Sequence, residues 1–174
     1  IIWSKEVIKD GQVSAIILNS GGANCYTGPQ GFQTTHATAE KVAEELGVSA
    51  GDVLVCSTGL IGDQLDREKL LAGTSAAAAN LNTTNGAIAA QAIMTTDSKP
   101  KTAEFTHADG WSIGGMAKGA GMLAPGLATM LVVITTDASL ESKALDQALR
   151  AATRVTFDRL DSDGCMSTND QVTL

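Results

Sequence analysis

Short apolar runs alternate along the chain with longer stretches of helical period. VSAIIL predicts a buried strand over Val13–Leu18. A turn-rich loop, NSGGAN, follows. From Pro29 to Leu46 the period changes: Phe32, Ala39, Val42, Ala43 and Leu46 fall on one helical face, Pro29 suits a first turn and Gly47 a stop. DVLVC predicts a second buried strand over Asp52–Cys56, which runs into the polar turn Ser57–Gly62. A short helix over Asp63–Leu71 and an alanine-rich one over Ser75–Leu81 are expected either side of Gly73. Ala87–Met94 is apolar and small, and periodicity does not decide between helix and strand. KTAEFTH alternates, Asp109-Gly110 signals a hairpin, and WSIGGMAK supplies its second strand, ending at Lys118. After a turn at Pro125-Gly126, a β-branched run predicts a strand over Thr129–Thr136. Asp137 or Ser139 is then expected to cap a helix reaching Leu160. Its apolar stripe (Leu140, Ala144, Leu145, Leu149, Ala152) should cover a sheet. QVTL reads as a last strand. The order is that of a mixed, layered α/β domain.

Composition narrows what such a domain can do. The 174 residues suit one domain, with 44% hydrophobic but only 3% aromatic residues, so the core must be aliphatic and small. A net charge of −7 argues against a general nucleic-acid or membrane-surface binder. No apolar run is long enough for a bilayer and no signal peptide is visible. Cys25, Cys56 and Cys165 lack metal-ligand spacing and read as reduced thiols in a cytoplasmic protein; neither His36 nor His107 lies in a recognisable triad context. Asp161-Ser162-Asp163-Gly164 resembles the start of a calcium loop, but the later ligands are missing and a turn is expected. The chain begins at Ile1 without Met and stops inside QVTL, so both ends are expected to be cut through structure.

Four places could carry chemistry, and each has a plain alternative. Thr129 follows a small residue at the head of a strand. It is either a strand-edge threonine or a self-processing nucleophile, because cleavage before it would free an α-amine to serve as base for its own hydroxyl. Small and glycine residues after the second strand can present an oxyanion hole or form an ordinary turn. The loop Asn19–Gly31 opens a helix but matches neither phosphate-loop pattern, which favours a tight turn. Lys118 is a solvated edge charge or a cation for an anionic substrate.

NSGGAN, CSTGLIG, AIMTTD and MAKGAGMLAP-x-x-ATML occur together and in that order. The set closely resembles the ornithine acetyltransferase family of arginine biosynthesis, also called glutamate N-acetyltransferases, and the resemblance runs along nearly the whole chain. It implies an α/β fold in which a layered sandwich of β-sheets is covered by helices, of the type shared with N-terminal-nucleophile aminopeptidases. It implies that 1–174 is one incomplete domain of a longer precursor, with 1–128 the C-terminal part of an α chain and 129–174 the N-terminal part of a β chain. By the same resemblance the chain is cut between Ala128 and Thr129, Thr129 is the nucleophile, Thr58 and Gly59 supply the oxyanion hole, and Thr95 and Lys118 contact substrate.

The implied reaction moves an acetyl group from N2-acetylornithine to glutamate through an acetyl-threonine, without metal or organic cofactor. Acetyl-CoA is a possible co-substrate. The implied assembly is an α2β2 heterotetramer that includes the remaining segments of the precursor. Two alternatives stand beside this: a related aminopeptidase releasing product to water, and an inert fragment lacking the C-terminal part of the site.

Overall fold

Strand β1 (Ala15–Asn19) and strand β2 (Val53–Ser57) lie parallel, with Ala15 opposite Val53 and Asn19 opposite Ser57. Helix α2 (Gly28–Leu46) connects them, so the first expected strand, helix and strand form one βαβ unit. Val53, Leu54, Val55 and Cys56 are all buried, as a continuous apolar run requires when both faces of a strand are covered. The computed structural model describes residues 1–174 apart from the side chains of residues 127 and 128. It divides into two compact units, Ile1–Asn85 and Gly86–Leu174, each described on its own below.

In the first unit an element absent from the sequence reading, helix α1 (Ile2–Val7), closes the outer edge of β2. Ser4 Oγ donates to Val55 O (2.9 Å) and accepts from Val55 N (3.1 Å), and Trp3 Nε1 donates to Val53 O (2.8 Å). Side chains thus satisfy an edge that would otherwise leave its ladder groups unpaired. The core between α2 and the strands is small: Ala39, Val42, Val53 and Val55, with Trp3, Ala15 and Ile17 against it.

The buried face of α2 differs from the expected one. Phe32 and Leu46 are exposed, and the buried stripe is Gly31, Thr34, Thr38 and Val42 with Ala37 and Ala39. Thr34 and Thr38 can face the core because each hydroxyl donates to the carbonyl four residues back, at 3.1 and 2.8 Å. Gly47 ends the helix in a left-handed conformation, as expected.

Instead of two helices around Gly73 there is one, α3 (Arg67–Ala79), capped by the Asp66 carboxylate on Lys69 N. A glycine inside a helix costs only about 1 kcal/mol against alanine, which the flanking leucines and alanines offset.

The second unit begins with α4 (Gly86–Ala92), so the undecided apolar stretch is helical. Its sheet runs β3 (Lys101–Thr106), β4 (Ser112–Lys118), β7 (Leu131–Thr136), β8 (Gln171–Thr173) in spatial order. β4 is antiparallel to both of its neighbours, β3 and β7, and β8 is parallel to β7. Between β4 and β7 lies a two-residue hairpin, β5 (Leu123–Ala124) and β6 (Leu127–Ala128), turning at Gly126 with φ +76°. Met130 and Val132 form a small core with Ala117, Leu123, Ile134, Phe157 and Val172.

Helix α5 (Ser142–Val155) is shorter than expected, and a 3-10 turn, Phe157–Arg159, follows it. Neither Asp137 nor Ser139 caps it. Its N-cap is Glu141, and Asp137 instead accepts from Ser112 N (2.6 Å), tying the ends of β4 and β7. No residue of α5 is fully buried; Leu145 and Leu149 of its stripe are half-buried, and Phe157 packs on the sheet core. Among the described residues no helix is long and apolar enough to cross a membrane.

Candidate active site

At the end of β4 the backbone delivers Lys118 opposite Leu131, where its side chain is only 1% exposed. The solvated-edge alternative therefore does not hold. Lys118 Nζ donates to Thr95 Oγ1 (2.7 Å) and lies 3.8 Å from Asp97 Oδ2. Burial lowers the Lys118 pKa, Asp97 raises it, Lys101 lowers it further, and the net direction is down.

Asp97 is the hub of this cluster, and the sequence reading assigned it no role. Its carboxylate accepts from Thr95 N (3.2 Å), Gly119 N (2.7 Å) and the Lys101 ammonium. Burial alone would raise its carboxyl, but the hydrogen bonds from Lys101, Gly119 and Thr95 outweigh it and hold it at about 2. A signal for it was present: an acid two residues after Thr95 can take that residue's N–H, and Lys101, paired with Ala117, sits diagonal to Lys118 across the hairpin.

Gly119 links the cluster to Thr129. Its φ is +156°, and a Cβ there would come within 2.9 Å of the Thr129 carbonyl oxygen. Thr129 lies two residues before β7 rather than within it. Its N–H donates to Met122 O (2.7 Å), while its Oγ1 is buried and has no hydrogen-bond partner among the described residues. A buried hydroxyl without a partner costs about 1–3 kcal/mol and calls for an explanation. Ala128, the residue before the expected scissile bond, has a side chain outside the described residues. On the other side of Thr129, Met130 is clamped: its N–H donates to Asp170 Oδ1 (3.2 Å) and its carbonyl accepts from Gln171 N (3.0 Å). Burial raises the Asp170 carboxyl, and Ser167 and Met130 oppose that shift only in part.

Thr58 and Gly59 lie together in the first unit, at the C-terminal end of β2. Thr58 is 2% exposed and its N–H donates to Asn19 O (2.8 Å). Gly59 has φ +131°, and a Cβ would meet Gly22 N and Cα at 2.9 Å, so only glycine fits. The loop it packs on is built by Asn19, which accepts from Gly21 N and donates to Gly22 O, both at 3.0 Å. Further along, Asn24 donates to Gly31 O (3.0 Å) and accepts from Thr27 Oγ1 (2.7 Å), which makes the loop a hydrogen-bonded turn onto α2. Thus Thr95 and Lys118 are brought into contact and Thr129 is placed beside Gly119 in one unit, and Thr58 and Gly59 are paired in the other.

The remaining candidates recede. Burial pushes the Cys56 thiol up to about 12, which keeps it protonated. His36 packs edge-on against Trp3 at 4.3 Å, and His107 stacks on Trp111 at 4.7 Å.

The sequence matches the ArgJ family over residues 1–174. This chain belongs to the ArgJ family. It is 68% identical over all 174 residues to the arginine biosynthesis bifunctional protein ArgJ of Streptomyces coelicolor, and matches that of Mycobacterium leprae at 58%. It spans 45% and 44% of those proteins' lengths. Among solved structures it resembles ornithine acetyltransferase complexed with ornithine from Mycobacterium tuberculosis, with a TM-score of 0.70 and 52% identity over 72% of this chain and 68% of that one. ArgJ of Bacillus halodurans matches with a TM-score of 0.64 and 30% identity over 74% of this chain and 68% of that one. The layered α/β class expected from the ArgJ-type motifs is the class of these neighbours.

Proposed function

We propose that this ArgJ chain carries the self-processing nucleophile of an acetyltransferase of arginine biosynthesis. In the precursor, Thr129 Oγ attacks the Ala128 carbonyl carbon, the Ala128–Thr129 C–N bond breaks, and the hydroxyl proton ends on the Thr129 nitrogen. Water then splits the ester, leaving the Ala128 carboxylate and a free Thr129 hydroxyl beside its own α-amine. That amine takes the hydroxyl proton as Oγ attacks the acetyl carbonyl of N2-acetylornithine. The proton passes to the departing ornithine nitrogen, and the acetyl group stays on Thr129 as an ester. Glutamate's amine then attacks the ester, N-acetylglutamate departs, and Thr129 Oγ regains its proton.

The observation that carries this reading is the Thr129 hydroxyl, buried without a hydrogen-bond partner among the described residues, with the Thr129 backbone against Gly119, whose N–H binds Asp97 of the Lys118–Thr95–Asp97 cluster. An ammonium held inside the protein is suited to a substrate carboxylate, which N-acetylornithine and glutamate both possess, and Thr95 shares its hydrogen bond. Thr58 and Gly59 take the role of oxyanion donors, each worth about 2.7–4 kcal/mol when removed. Partners under this reading are the two amino-acid substrates and the rest of the precursor, in a cytoplasmic α2β2 assembly. The ornithine bound to the Mycobacterium tuberculosis relative favours transfer over a peptidase activity.

The test is the denatured mass of the full-length precursor, beside Thr129→Ala. Two pieces meeting at Ala128–Thr129, absent from the variant, are expected, followed by acetyl transfer to glutamate in excess of release to water. A variant that still splits there would end the assignment.

A further inference from the structure

Thr129 is held from behind by a residue whose bonds run through the segment between β4 and β7. Its N–H, the nitrogen of the bond to be cut, donates to Met122 O at 2.7 Å. Met122 is itself unusual, being one of three non-glycine residues with positive φ among the described residues, at +53°. That conformation is unfavourable for an L-residue, so something must hold it.

What holds it is Asp163, from the turn after α5. Asp163 Oδ2 accepts from Met122 N (2.9 Å) and Oδ1 accepts from Leu123 N (3.2 Å) and Cys165 N (3.1 Å). The same turn grips the segment again, with Ser162 N donating to Leu123 O (2.9 Å), and the preceding 3-10 turn does so through Asp158 O, which accepts from Gly126 N (3.0 Å). Asp161 fixes the turn itself, accepting from Gly164 N at 3.0 Å. The Asp-Ser-Asp-Gly sequence that resembles a broken calcium loop is therefore occupied with backbone amides.

We propose that Asp163 is a positioning residue for self-cleavage: by holding Met122 it aims the Met122 carbonyl at the scissile nitrogen of Thr129. This rests on Thr129 being the self-processing nucleophile. When the Thr129 hydroxyl adds to the Ala128 carbonyl and its proton moves to the Thr129 nitrogen, that nitrogen carries positive charge in the tetrahedral intermediate, until the C–N bond breaks and its electron pair returns to nitrogen. A carbonyl already bonded to that nitrogen then accepts from a cation, and a charge-assisted hydrogen bond is roughly twice as strong as a neutral one. The gain appears along the reaction and not before it, which is the condition for accelerating a step. Asp163 is suited to a permanent hold, because the amide of Met122 first, and those of Cys165 and Leu123 with it, keep its carboxyl below the usual range.

The experiment follows the appearance of split chains from full-length precursor, with wild type, Thr129→Ala, Asp163→Ala, Asp163→Asn and the double variant Asp163→Ala with Met122→Gly. Asp163→Ala is expected to slow splitting at least tenfold, without moving the thermal midpoint of the uncut precursor by more than a degree or two. Asp163→Asn, which keeps one acceptor oxygen, should fall between it and wild type. Glycine at 122 adopts the left-handed backbone without a holder, so the double variant should regain at least threefold. Once split, each Asp163 variant should transfer acetyl with wild-type kcat and KM per cut site.

Splitting of Asp163→Ala at the wild-type rate would overturn the role. So would absence of rescue by Met122→Gly, or a kcat that falls in step with splitting. A wild-type precursor that stays whole, or a Thr129→Ala variant that splits, would instead remove the nucleophile assignment, and the role of Asp163 with it.

Discussion

The buried carboxylate of Asp97 and the half-buried one of Asp170 are displaced in opposite directions, and the difference is one of partners. Asp97 collects two backbone N–H groups and the Lys101 ammonium and is held at about 2; Asp170 collects too few bonds to offset its burial and is raised. An unfolded aspartate titrates near 3.9. Asp97 therefore favours the folded state above that pH, by about 2–3 kcal/mol at ~1.4 kcal/mol per unit, and the advantage is lost as pH falls through about 2. Asp170 has the reverse sign: its contribution is present below the unfolded pKa and is lost as pH rises through the raised folded one. Urea unfolding of Asp97→Asn and Asp170→Asn against wild type, from pH 7 down to pH 2, reads both. The stability lost in Asp97→Asn should shrink as pH falls, and Asp170→Asn should gain on wild type as pH rises. Parallel curves for both variants would refute the assignment of these shifts to the folded state.

At the level of elements, the strands were legible and the helix faces were not. The apolar runs before Cys56 and after Met130 became β2 and β7 because continuous branched residues suit a strand covered on both sides. In α2 the expected Ala39 and Val42 are buried, but Phe32 and Leu46 drew the stripe to one side because size outweighs place in a hydrophobic pattern, whereas the threonines bury by bonding their own helix. In α5 the acid expected to cap is spent on Ser112, a long-range bond that no local pattern encodes. At the site, Thr95 and Lys118 could be named from motif wording, but the Asp97 hub and the Asp163 grip depend on residues brought together across 22 and 41 positions, which spacing alone does not show.

The junction of β4 with the hairpin is one place where backbone shape decides function. Gly119→Ala would strain φ +156° and press a methyl to 2.9 Å from the Thr129 carbonyl. We expect it to slow splitting of the precursor by tenfold or more, read by the ratio of whole to cut chain over time. Wild-type kinetics in that variant would mean that the Thr129 carbonyl is free to shift.

For the molecule as a whole, the two proposed steps draw on different parts of the chain. The groups assigned to cutting (Thr129, Met122, Asp163 and Gly119) all belong to the unit Gly86–Leu174. Transfer adds Thr58 and Gly59 from Ile1–Asn85, and the chain spans only 45% of the length of the curated relatives it matches. Cutting and transfer should therefore separate experimentally. The 174-residue chain is expected to split at Ala128–Thr129, at a rate within tenfold of the full-length precursor, because the bonds that aim the scissile nitrogen are complete within it. Acetyl transfer is expected from the full-length protein and to be at least a hundredfold weaker in the 174-residue chain. Adding the remaining C-terminal segment in trans should recover part of it. Equal loss of both activities in the shorter chain would place part of the cutting machinery outside these residues, and equal retention of both would show that they hold a whole site.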